Sequence, residues 1–124
     1  MQDIGRALAE MGRVTRRGGV VLAEFYNPWS LRGVVKRFGP AGRISHRTHE
    51  SAVYTRFDPP WRIPRLLPAS LVQEGARGVR IVTPAAKAMD LPGVGRALRA
   101  LELRLADGPL AALSGFYIAI LRRR

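Results

Sequence analysis

Cysteine is absent from this 124-residue chain. That excludes a disulfide framework, a thiolate metal site and a cysteine nucleophile. Histidine is scarce, with His46 and His49 the only two, spaced three apart in "HRTH". Long apolar runs are missing as well. The strongest near the end, "GFYIAIL", is far short of the roughly 20 residues that a membrane-spanning helix needs. The first residues, "MQDIGRALAEMGR", carry acids early and have no apolar signal core, so no export signal is expected and a cytoplasmic protein is. Acidic residues number nine against twenty-one basic ones, and none stand at a spacing useful for paired-carboxylate chemistry. There is no Ser/His/Asp order and no phosphate-cradling glycine loop.

What is present is a globular composition, 47% hydrophobic and 24% charged, in a length that fits one domain. The formal net charge of +12 would attract nucleic acid or an anionic surface. Yet only Lys36 and Lys87 are lysine, and the arginines are scattered apart from "RRR" at the end. Together with the many alanines, this resembles the codon bias of a GC-rich genome. That bias outweighs a polyanion ligand as the explanation, and nucleic acid is not the expected partner.

The periodicity predicts a helix over 3–16, with Ile4, Leu8, Met11 and Val14 on one face. Asp3 is placed to cap its start and Gly18 to end it in the left-handed conformation. "VVLAEF" follows, a continuous apolar run that suits a strand covered on both faces, as in a parallel sheet. A short helix is predicted over 28–39 and an irregular stretch from Pro40 to about Tyr54. "FDPPWRIPRLLP" predicts a short helix capped by Asp58, and "GVRIVTP" a second strand. Val94, Leu98, Leu101 and Leu105 line one face of a further helix, and "GFYIAILRRR" is a third strand. The pattern is α/β with three strands. A strand like the first calls for a neighbour on each side, and the later strands supply only one.

Arg13, Val14, Thr15, Arg16, Arg17, Gly18 and Gly19, running into "VVLAEFYNP", resemble the approach to the fifth strand in class I S-adenosylmethionine-dependent methyltransferases. There the pattern is close to R-V-L-[KR]-P-G-G. This chain has Thr15 where leucine is usual and Arg17 where proline is usual. Glu24, Phe25 and Pro28 are similar to the residues that follow in ubiquinone/menaquinone-type small-molecule enzymes. "VYTRFD", "GARGVRIVTP" and "GFYIAILRR" resemble the linker, sixth strand and seventh strand. The resemblance spans essentially all of 1–124 and implies the C-terminal half of a Rossmann-like methyltransferase sheet, with flanking helices. The family's D-x-G-x-G-x-G turn has no counterpart. "LPGVGRAL", with Gly93 and Gly95, comes nearest but lacks the third glycine and a strand leading into it. The implied cofactor is S-adenosylmethionine for a complete domain, with no tight binding expected from this chain alone and no cofactor-binding residue carried over.

In open α/β sheets ligands bind at the carboxyl ends of the strands. Tyr26 and Asn27 are therefore candidates for contacting a small-molecule methyl acceptor, with Tyr54 and Arg56 behind them. His46 and His49 are candidate bases, since imidazole titrates near neutral pH. Each has a plainer alternative: solvated loop histidines, a surface arginine, and an Asn-Pro turn. Trp29 and Trp61 read as packing anchors. The expected function is part of a methyltransferase, inactive alone, its partner a chain supplying the missing half or a second copy of itself. The alternatives are a non-catalytic partner completing a split enzyme and a small basic nucleic-acid-binding protein.

Overall fold

The computed structural model describes residues 3–30, 56–82, 90 and 92–124. The first helix, α1 (Ile4–Val14), starts where Asp3 accepts a hydrogen bond from the Arg6 N–H at 2.9 Å, the expected cap. Gly18 then turns the chain at φ +73°, a left-handed conformation that a Cβ would strain. Strand β1 (Val20–Tyr26) follows immediately.

A 3-10 helix (Pro60–Leu66) leads to β2 (Leu71–Val79). Helix α2 (Val94–Leu105), a second 3-10 helix (Pro109–Leu113) and β3 (Phe116–Arg123) complete the order. The sheet runs β1-β3-β2, and β3 is antiparallel to both neighbours. The α/β class is as expected, but the expected parallel pairing is not what forms. The last strand enters between the other two and opposes each of them. β1 and β2 consequently run parallel to one another.

Leu8 of α1 and Ile63 of the first 3-10 helix pack on one sheet face, against Ala23, Phe25, Leu71, Tyr117, Ala119 and Leu121. The other face is different. Leu22 is 67% exposed, Val20, Tyr26 and Val79 are also exposed, and Phe116, Ile118 and Ile120 are half-buried. β1 therefore alternates, instead of being covered on both faces as its apolar run predicts.

Its edges differ too. The Asn27 N–H donates to the Gly115 carbonyl, and with the register Phe25↔Tyr117 and Ala23↔Ala119 this turns odd-numbered backbone groups toward β3. The groups of Val20, Leu22 and Glu24 point to the outer edge. Among the described residues that edge carries one isolated parallel bridge, Tyr26↔Phe57.

Three expectations need correction. The second strand lies earlier than "GVRIVTP" predicts, because Arg80 adopts φ 59° and ends the ladder. Beyond it the Ile81 and Val82 N–H groups donate to the Glu102 carboxylate of α2 at 2.9 and 3.0 Å, so they make no strand. Asp58 does not cap a helix. Pro59 is the capping position, and Pro64 inside the segment keeps it 3-10. Finally, α2 forms as predicted, but Val94 and Leu101 of its apolar face are exposed.

Two long-range contacts close the fold. Gly78 lies under the second 3-10 helix, where a Cβ would come within 2.8 Å of the Ala111 Cα. Arg123, near the end of β3, donates through Nη1 to the carbonyls of Gly12, Arg13 and Thr15 at the end of α1. Those carbonyls have no partner within the helix, and a cation there also suits the helix dipole. On the bare face Arg122 hydrogen-bonds Glu74 at 2.9 Å and holds its carboxyl below the ordinary carboxylate range. Any stability from that pair is present at neutral pH and fades as pH falls through the lowered value. It is small for so exposed a pair.

Candidate functional site

The carboxyl end of β1 is built on buried polar groups. Asn27 is only 2% exposed. Its Nδ2 donates to the Ala112 carbonyl at 2.7 Å, and its Oδ1 accepts from the Trp29 N–H at 3.0 Å. The Ser30 hydroxyl donates back to the Asn27 carbonyl at 3.0 Å. This is an Asx-type turn locked to the second 3-10 helix. Asn27 therefore shapes the site, its amide engaged on backbone atoms on both sides.

Residues 56–61 form the opposite wall. The buried Asp58 carboxylate takes two bonds from Arg56, at 2.5 and 3.0 Å, and its N–H donates to the Tyr26 carbonyl at 3.0 Å. A forked pair of this kind fixes a guanidinium firmly, so Arg56 braces this wall.

Aromatic rings lie over the scaffold. The Tyr26 ring meets Phe116 edge-on at 5.1 Å and Phe57 at 6.0 Å. Trp29 and Trp61 stand 6.3 Å apart with their planes tilted by 42°. They are not buried anchors, being 58% and 60% exposed. The sequence gives no sign of this cluster, because Trp29 and Trp61 lie far apart in the chain and meet only once the fold closes. His46, His49 and Tyr54 lie outside the described residues. Of the other candidates, Tyr26 presents an exposed ring at this end of the sheet and Asn27 holds the turn beneath it.

A shallow hollow of about 580 Å³ lies elsewhere, between the first 3-10 helix and β2, with Pro60, Pro64 and Tyr117 in its wall. Gln73 spans part of it, donating to the Tyr117 hydroxyl at 2.9 Å. Among the described residues no three acidic or histidine side chains gather as a metal site, and no helix is long and apolar enough to cross a membrane.

The described residues do not fit S-adenosylmethionine. β1 runs into Asn27-Pro28, β2 into Arg80, and β3 to Arg124. None leads into a glycine-rich turn whose amides could approach a ligand. No protein-family model and no curated protein matches the chain. Fold and site together define an α/β protein with a three-stranded antiparallel sheet, one sheet face with exposed apolar residues and an aromatic cluster at one end.

Proposed function

We propose that this chain is the C-terminal, acceptor-side part of a class I S-adenosylmethionine-dependent methyltransferase acting on a small molecule. It is inactive alone and is completed by a polypeptide that brings the remaining strands and the cofactor cradle. The outer edge of β1, open among the described residues, carries this reading. The outward backbone groups of Val20, Leu22 and Glu24 have no partner among those residues and Val20 and Leu22 are exposed, an apolar edge of a kind that proteins otherwise protect. β1 and β2 run parallel to each other, and doubly wound sheets accommodate an antiparallel strand among parallel ones. A strand laid parallel along β1 would extend the sheet.

Within such an enzyme, the end of β1 positions the acceptor. Alignment of the reacting atoms does much of the work in a displacement. The rigid turn at Asn27 and the exposed Tyr26 ring supply a fixed wall for it. A base is required only for an acceptor that must lose a proton, and His46 and His49 are the candidates. The same open edge also suits a non-catalytic role, in which the chain only completes its partner's sheet.

Calorimetric titration of the chain alone with S-adenosylmethionine should give no saturable heat. Adding a separate polypeptide that carries the remaining strands and a glycine-rich cofactor turn should restore binding and methyl transfer. Tight binding by the chain alone would overturn the half-enzyme reading. A complex that binds the cofactor without transferring methyl would favour the non-catalytic role.

A further inference from the structure

A line of rings crosses the end of the sheet, with arginines at both ends. Arg80 lies over the Phe116 ring at 5.8 Å, Phe116 touches Tyr26, and Tyr26 touches Phe57. The chain then rises through Pro59 and Pro60 to Trp61, which faces Trp29. Tyr26, Phe57, Trp29 and Trp61 are all exposed, and the turn beneath them is held by the buried Asn27, Ser30 and Asp58. Arg62 and Arg65 follow Trp61. They stand three apart on a 3-10 helix and so share a side. Both are exposed, and neither has an acidic partner among the described residues. The nearest acid on β1, Glu24, lies two residues before Tyr26 on the same strand face.

A rigid, exposed set of aromatic rings marks a binding surface, and its charge selects the kind of partner. At +12 overall, two copies of this chain repel each other and a polyanion is attracted. Duplex nucleic acid keeps its base faces covered, and an anionic membrane has no rings to stack. A single strand offers phosphates and open π-faces together, the combination that a basic aromatic strip takes up. We propose that this strip binds single-stranded nucleic acid, with bases stacking on Trp29 and Trp61 and phosphates held by Arg62 and Arg65. The meeting of the two indoles points to this partner, with Trp61 followed in the chain by arginines that have no acidic partner among the described residues. The residues it uses all belong to this chain and need no cofactor-binding half, so the proposal stands apart from the methyltransferase reading.

Trp29 and Trp61 are the only two tryptophans, so intrinsic fluorescence reports on the strip directly. The full chain is titrated with oligo(dT) of roughly 16 nucleotides, a matched duplex, heparin, and phosphatidylcholine vesicles containing phosphatidylglycerol. Oligo(dT) should quench saturably, with affinity falling steeply as salt rises, and heparin should bind without comparable quenching. Trp29→Ala and Trp61→Ala should each weaken oligo(dT) binding about tenfold, and Trp61→Phe much less. Arg62→Gln with Arg65→Gln, which leaves the rings in place, should flatten the salt dependence. Circular dichroism of each variant checks folding. Equal affinity for single strand and duplex, binding to vesicles alone, absence of quenching at low salt, or unchanged affinity in folded tryptophan variants would each overturn the proposal.

Discussion

Leu121→Ala should lower the unfolding free energy by about 3 kcal/mol, near the middle of the range for truncating a buried leucine. Leu121 is 0% exposed. It sits on the central strand, across from Val21 of β1 and Gln73 of β2. Its side chain points at the face covered by Leu8 and Ile63, and backbone pairing on both sides restricts how far the site can collapse around a cavity. The thermal midpoint should fall by on the order of 10 °C for a chain of this size. Leu22→Ala on the bare face is the control and should change stability far less. Equal losses for the two variants would mean that the bare face is covered in solution. Thermal unfolding followed by circular dichroism makes the comparison.

Arg123→Ala should cost about 2 kcal/mol, because hydrogen bonds to a charged donor are worth roughly 1.5–3 kcal/mol and their loss leaves acceptors unmatched. This side chain ties the last strand to the first helix through the carbonyls of Gly12, Arg13 and Thr15. The adjoining backbone pairs, Gly18 N–H to the Arg123 carbonyl and Arg123 N–H to the Gly19 carbonyl, both at 2.9 Å, should survive. The loss should therefore concentrate in α1. Arg123→Lys should recover only part of it, since all three bonds leave Nη1 and a lysine ammonium, though it has three donors, is more strongly hydrated and sits on a shorter side chain. Urea unfolding of the two variants measures both effects, and full rescue by lysine would show that charge alone suffices.

Local signals carried much of the fold. The Asp3 cap, the left-handed Gly18 and the β-branched start of β1 act within a few residues and were legible. The positions of α2 and β3 were too. The extent of β2 was not, since its polar "QEG" stretch hides a register shift between Gln73 and Gly75 and the strand ends on the unusual conformation of Arg80. Pairing direction was misread because a continuous apolar run looks the same in a parallel sheet and on a strand with one bare face.

Site residues divide in the same way. Asn27 was legible as a turn residue, but its bond to the Ala112 carbonyl depends on the distant second 3-10 helix. Arg56 reads in the sequence as a ligand for the acceptor, and the fold pairs it with Asp58 two residues away. The contact between Trp29 and Trp61 leaves no periodicity to detect, since it exists only once β1 and the segment after Phe57 come together.

Amide hydrogen exchange along β1, followed by NMR at low protein concentration, reads its outer edge residue by residue. With that edge open, the N–H groups of Val21, Ala23 and Phe25 should exchange about a hundredfold or more slower than those of Val20, Leu22 and Glu24. Uniform slow exchange along the strand would mean that the edge is already filled in the isolated chain, and β1 would need no second polypeptide beside it.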